Sequence, residues 1–248
     1  MLQTHDLTRR FEGLVAVNGV SLDVRAGEIF GVIGPNGAGK TTFFNLLCGT
    51  IPCSSGRILF KDREIQRLPP HRIARLGVGR TFQIVRPFAE LTVIQNVLAG
   101  LGLRSCGSFV TALGRYRNKK HYDDARAILR RTNLEDYEEQ LACHLPLGLL
   151  RRLEIARALG LQPDLILLDE SFSGLSHREA LSLADLVRDL QANGTTILLI
   201  EHNMQITMNL CTRVAVLDRG VKIAEGTPDE VRDNPEVIAA YLGTADDA

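Results

Sequence analysis

Hydrophobic and polar positions alternate at Val20, Leu22 and Val24, break at Ala26-Gly27, and give way to the apolar run Ile29, Phe30, Val32 and Ile33, which stops at Gly34. Alternation predicts a strand with one buried face, and a short continuous run predicts a strand buried on both. Phe43, Phe44, Leu46 and Leu47 then fall at helical spacing between Lys40 and Cys48, and Gly49 ends that helix. Strand, glycine loop and helix thus follow in order. Arg57 to Phe60 and Val78 to Phe82 read as extended, and Pro70 to Leu76 as a short helix opened by prolines. From Thr92 to Gln140 the pattern turns mostly helical, with a small-residue loop around Gly102 to Ser108, which predicts a helical subdomain inserted over 87–150. Further on come a helix through Leu153, Ile155, Ala156, Ala158 and Leu159, a buried strand at Leu165 to Leu168, an amphipathic helix at His177 to Leu190 and a buried strand at Thr195 to Ile200. A hairpin turning at Asp218-Arg219-Gly220 and helical segments over Pro228 to Leu242 close the chain. Helices alternating with buried strands predict an α/β fold with a mainly parallel sheet.

The size of the chain suits this: 248 residues, 45% of them hydrophobic, accommodate one large domain with a smaller insertion. Charge narrows the function. Twenty-nine Lys+Arg balance 29 Asp+Glu, which argues against electrostatic capture of nucleic acid as the main task. The basic cluster Arg115, Arg117, Lys119, Lys120 and His121 has no aromatic platform and is followed by Asp123-Asp124, so it reads as a solvated loop. No apolar run approaches bilayer length, and Met1 to Arg10 lacks the apolar stretch of a secretory signal, so a cytosolic protein is expected. Five cysteines without a CxxC suggest neither a disulfide framework nor a zinc site.

The candidate chemistry sits at two strand ends. Gly34, Pro35, Asn36, Gly37, Ala38, Gly39, Lys40 and Thr41 fit GxxxxGK[ST] between an apolar strand and a helix. Glycines there let successive backbone N–H groups curl around phosphate oxygens, and the helix N-terminus adds partial positive charge. Lys40 can reach the β- and γ-phosphates while Thr41 offers a hydroxyl to Mg²⁺. Asp169 and Glu170 close the strand Leu165 to Leu168, at the edge where a parallel sheet presents groups to ligands. Asp169 suits a metal's water shell, and Glu170 suits polarising the water that attacks a γ-phosphate.

These residues, with Arg80-Thr-Phe-Gln83, Arg151-Arg-Leu-Glu-Ile-Ala-Arg157, Ile200-Glu-His202 and the ending Asn234-Pro-Glu-Val-Ile-Ala-Ala-Tyr-Leu-Gly243, make the chain resemble the ATP-binding subunits of ABC transporters. The ending resembles those of branched-chain amino-acid importers. The resemblance implies a P-loop NTPase (RecA-like) core with an antiparallel β edge near the N-terminus and the inserted helical subdomain. It makes ATP and Mg²⁺ the cofactors, with Thr42 and Gly148 joining Gly34 to Thr41 at the nucleotide. Phe11 takes the place of the aromatic that stacks on adenine. Gln83 contacts Mg²⁺ and the attacking water while signalling to the membrane partner, and His202 senses the γ-phosphate. The implied partners are membrane permease subunits and a second ATP-binding subunit, with the chain peripheral on the inner face of the membrane. A regulatory subunit that binds ATP with little hydrolysis, and a soluble ATPase of nucleic-acid or translation work, are the competing readings.

Departures from the family pattern gather in one region. Where a Leu-Ser-Gly-Gly-Gln-like signature is expected to face the phosphate loop of a second subunit, the chain has Leu145-Pro146-Leu147-Gly148-Leu149-Leu150. Pro146 offers neither hydroxyl nor N–H, and Leu149 replaces an amide by an apolar side chain. A helix is expected to begin near Leu149. Ser171 stands where proline is usual and Ser176 where Asp or Asn is usual, and both are expected on the dimer-facing surface with the signature. Either these changes are neutral, or the chain contributes one poor signature to a two-site heterodimer.

Overall fold

The computed structural model describes residues 1–81, 87–105, 119–201 and 203–242. Two sheets organise it. β1 (Leu2–Phe11), β2 (Leu14–Val24), β4 (Ser55–Phe60) and β5 (Arg63–Glu64) form an antiparallel sheet in the order β2-β1-β4-β5. A six-stranded sheet has the order β10-β9-β3-β8-β7-β6. Its members are β3 (Ile29–Ile33), β6 (Val78–Arg80), β7 (Leu165–Asp169), β8 (Thr196–Ile200), β9 (Arg213–Asp218) and β10 (Val221–Gly226). All its pairings are parallel except β9 with β10.

The unbroken apolar runs of β3, β7 and β8 reflect burial on both faces, as a parallel sheet covered on two sides requires. Phe30, Val32, Leu165, Leu167, Leu198 and Ile200 face a core shared with helix α1 (Lys40–Leu47) and the antiparallel sheet. Ile29, Ile33, Ile166, Leu168, Ile197 and Leu199 face a second core. That core is completed by α3 (Val93–Ser105), α4 (Lys119–Arg131), α5 (Leu147–Leu159) and α6 (His177–Ala192). Helix α2 (Pro70–Arg75) begins on its prolines, and α7 (Met204–Leu210), α8 (Pro228–Arg232) and α9 (Pro235–Leu242) complete the chain.

Four expectations need correction. Helix α3 runs through Ser105, so Gly102 to Ser105 are helical and not part of a small-residue loop, while residues 106–108 lie outside the described residues. Helix α5 starts at Leu147 with Pro146 as its cap residue, not near Leu149, because proline's fixed φ suits a helix start and Leu150 N–H already bonds Pro146 O at 3.0 Å. Lys119, Lys120 and His121 open α4 instead of lying in a loop, because Ala125, Ile128 and Leu129 give the segment an apolar face to dock; Arg115 and Arg117 lie outside the described residues. Ser171 is 1% exposed, so it is not a surface residue, and its hydroxyl lies 2.9 Å from that of Thr81.

The run Arg151 to Arg157 has a packing role. Arg152 donates to Thr132 O, at the end of α4, and to the carbonyl and hydroxyl of Ser182 on α6, at 2.7–3.0 Å. One buried guanidinium thereby ties three helices, and burial lowers its pKa.

Candidate nucleotide site

β3 lies between β8 and β9, so the loop leaving its end emerges at the point where strand connections diverge, the position at which open α/β sheets bind ligands. The loop is held from behind. Gly220 N–H, in the β9–β10 turn, donates to Ala38 O at 3.1 Å, and Asn18 N–H on β2 donates to Gly220 O at 2.8 Å. Gly39 caps α1 with φ 95°, and a Cβ there would lie 2.3 Å from Ala16 O. Only glycine meets both conditions, so the glycine of the motif is required by the packing of β2.

The loop lines a cavity of about 510 Å³ through Asn36, Gly37, Ala38, Gly39, Lys40, Thr41 and Thr42, and Glu170 lines it as well. Leu14, Val15 and Ala16 of β2 and Arg219 of the β9–β10 turn line the rest. Gly34 and Pro35 lie at its root, where Lys40 Nζ donates to their carbonyls at 2.7 and 2.8 Å. Burial lowers the Lys40 pKa, and the nearby Glu170 carboxylate opposes that shift. Two of the ammonium's three donors are thus directed within the loop, leaving one for an incoming oxygen.

Glu170 follows β7 with φ 49°, a left-handed conformation for a residue with a side chain, while its N–H donates to Ile200 O at 3.0 Å. Such strain costs on the order of 1–3 kcal/mol and concentrates where geometry serves function. Asp169 is buried: its Oδ2 accepts from Arg80 Nη2 at 2.8 Å, and its Oδ1 has no hydrogen-bond partner among the described residues. Glu201 Oε1 accepts from Phe172 N–H at 3.0 Å and so braces the segment after Glu170.

Other expected site residues fall elsewhere. Phe11 ends β1 opposite Leu14, is 39% exposed, and has the Arg9 guanidinium 4.3 Å from its ring centre; it flanks the cavity wall without lining the cavity. Gly148, in the first turn of α5, is not among the residues lining this cavity. It packs on α6, where a Cβ would lie 2.7 Å from Glu179 Oε1. Gln83 and His202 lie outside the described residues. Reading the sequence missed Leu14, Val15, Ala16 and Arg219, which carry no local signal and arrive only when the hairpins dock on the loop. It also missed Tyr241, whose phenol meets the backbone of Gly34 and is pushed up to about 12 by burial.

A phosphate-loop cavity that Glu170, at the end of a buried parallel strand, also lines defines a nucleotide-binding α/β protein. The sequence pattern described as "ABC transporter" matches residues 17–173, and that described as "Branched-chain amino acid ATP-binding cassette transporter" matches 221–247. The chain is 44% identical over 252 residues to the high-affinity branched-chain amino acid transport ATP-binding protein LivG of Escherichia coli (strain K12), covering 99% of this chain and 98% of that one. It is 42% identical over 251 residues to the corresponding protein BraF of Pseudomonas aeruginosa, with the same coverage. A crystal structure of the ADP conformation of an ATP-binding cassette of an ABC transporter superposes with TM-score 0.88 at 31% identity, covering 98% of both chains. The chain belongs to the ABC transporter family, as an ATP-binding and ATP-hydrolysing subunit. Among the described residues, no helix is long and apolar enough to cross a membrane.

Proposed function

We propose that the chain, paired with a second ATP-binding subunit, hydrolyses MgATP to drive a membrane permease that imports branched-chain or related amino acids. The observation that carries the hydrolytic reading is Glu170 held in a strained conformation in the same cavity as Lys40 and Thr41. The amino-acid substrate follows from what the relatives are named for. On this reading residues 87–150 are the inserted helical subdomain, and the chain sits on the inner face of the membrane through its permease.

Mg²⁺ fits the site as a cation carried largely by phosphate and water. No three His, Cys, Asp or Glu side chains cluster to hold a metal among the described residues, whereas Mg²⁺ needs few protein ligands and keeps several waters. Thr41, an exposed residue of the cavity, would hold it together with Gln83 and with Asp169, which is not among the residues lining the cavity but whose buried Oδ1 has no hydrogen-bond partner among the described residues. Its chemistry there would be neutralisation of phosphate charge. The backbone amides of 36–41 and the Lys40 ammonium bind and orient the phosphates. Glu170 accepts a proton from, or aligns, the attacking water. Phe11 offers its ring to adenine, Gly148 belongs to the face offered to the partner's nucleotide, and Gln83 and His202 are assigned the permease signal and the γ-phosphate.

The signature segment weakens the second site. Pro146 supplies no donor and Leu149 is apolar, so the partner's nucleotide meets mainly the N-terminal amides of α5. One good site, this chain's phosphate loop facing a partner's signature, then carries most of the turnover.

The test is reconstitution of the chain with its permease and partner subunit in lipid vesicles. Leucine, isoleucine or valine uptake is expected to depend on ATP, and Glu170→Gln to retain ATP while uptake and turnover stop. Wild-type turnover in that variant overturns the role of Glu170. Uptake indifferent to all three amino acids overturns the substrate.

A further inference from the structure

Arg80 belongs to a motif the sequence singles out, yet the reading of the site leaves it without a role. It is the last residue of the edge strand β6 and pairs in register with Leu167, two residues before Asp169. Two of the bonds its guanidinium makes run in different directions: Nη2 donates to Asp169 Oδ2 at 2.8 Å and Nη1 to Asn45 Oδ1 at 2.9 Å, and the Cys48 thiol also lies against it. The Asp169 side chain is 2% exposed and that of Arg80 12%, so water screens the pair little. Asn45 stands four residues after Thr41 on α1, which places the two on one side of that helix. Arg80 therefore links the helix that carries the Thr41 hydroxyl to the strand end that carries the Asp169 carboxylate.

We propose that Arg80 is a positioning residue for the cation that accompanies ATP: it holds Asp169 by Oδ2 so that Oδ1 is the oxygen presented, and it sets the spacing between Asp169 and Thr41. The proposal rests on the reading of the cavity as a MgATP site. A carboxylate buried without this clamp is free to turn about its last torsion and carries an uncompensated charge. The planar fork of arginine satisfies two acceptors at a fixed angle, and a lysine ammonium does not reproduce that geometry, so Arg80→Lys is not conservative here.

The test is calorimetry of ATP binding to the full chain, in EDTA and across a Mg²⁺ series, for wild type, Arg80→Lys, Arg80→Gln and Asn45→Ala. Thermal unfolding is recorded beside it. In both Arg80 variants ATP affinity in EDTA is expected to stay within about twofold of wild type while the Mg²⁺ concentration for half-maximal enhancement rises about tenfold or more, the usual cost of losing a partner behind a metal-holding group. Asn45→Ala, which keeps the Arg80–Asp169 pair and loses its tether, is expected to shift the same way by less. With Mn²⁺ in place of Mg²⁺, the spin-resonance spectrum of the ATP complex is expected to broaden in the Arg80 variants. A folded Arg80 variant with wild-type Mg²⁺ dependence overturns the proposal, as does an equal loss of affinity with and without the metal. Should neither Arg80 variant fold, unchanged Mg²⁺ dependence in Asn45→Ala overturns it. If the wild type binds ATP no better with Mg²⁺ than in EDTA, the reading of the site falls and the proposal with it; wild-type dependence with unaltered variants removes the proposal alone.

Discussion

On the proposed reading nucleotide binding turns on Lys40, because its ammonium is buried at the root of the loop and has one donor left for phosphate. A charge-assisted hydrogen bond of this kind contributes about 1.5–3 kcal/mol, so Lys40→Ala is expected to weaken ATP binding by roughly one to two orders of magnitude in calorimetry. Unchanged affinity removes Lys40 from the site. At this scale much of the site is legible in sequence, since loop glycines, lysine and threonine are contiguous and a short window holds the whole motif. Asp169-Glu170 is likewise legible as a polar pair ending an apolar run. The left-handed backbone of Glu170 is not, because glutamate carries no sign of it; the hydrogen bond from its N–H to Ile200 O belongs to the fold around it.

Elements explain how the departures are tolerated. Ser176 caps α6 in a reciprocal arrangement: Glu179 N–H donates to its hydroxyl oxygen, and its own N–H and hydroxyl donate to Glu179 Oε2 at 2.9 and 2.6 Å. An Asp or Asn would cap as well, so the serine preserves the helix start. Ser176→Ala is expected to lower stability by about 1 kcal/mol in urea unfolding at neutral pH, and Ser176→Asp to retain the cap. The bonds from Ser176 hold the Glu179 carboxyl below its usual pKa. Its contribution is therefore present above the unfolded-state pKa and lost as pH falls through the lowered folded-state value, so the gap between wild type and Ser176→Ala should narrow in acid. Strand β1 was missed as a separate element because its alternation is broken. Register shifts follow Thr4 and Leu7, and Asp6 takes φ 47°, so the buried positions do not keep period two. Helix α7 was missed for another reason: seven residues are two turns, too few for a periodic signal.

For the whole molecule the signature segment matters most. If two copies of this chain paired head to tail, both nucleotides would face Pro146 and Leu149, and loss of one oxyanion-type donor can cost about 2.7–4 kcal/mol of transition-state stabilisation. The chain alone is therefore expected to be a poor ATPase, and pairing with a subunit whose signature is intact to raise turnover. Repairing Pro146→Ser, Leu147→Gly and Leu149→Gln together is expected to raise turnover of the unpaired chain. Steady-state phosphate release checks this, and equal rates for wild type and repaired chain would make the substitutions neutral. Gly148 and α5 are not among the residues lining the cavity, so on the proposed reading changes there leave the phosphate loop of the same chain intact.

By itself the sequence determined the strand–loop–helix that carries the phosphate-loop motif, the acidic end of β7, the parallel character of the sheet and the family. All of these are written in contiguous residues or in the periodicity of single elements, which local backbone geometry dictates. Tertiary structure alone decided that Ala16 would close on Gly39, that Arg219 would line the cavity, that Ser171 would be buried against Thr81, and that Arg80 would join Asp169 to Asn45. Arg80 is 89 residues from Asp169 and 35 from Asn45 along the chain. Nothing in the local pattern of either stretch encodes that meeting. It exists because the sheet order sets β6 beside β7, with α1 packed over the same core, and strand order is a property of the whole folded chain.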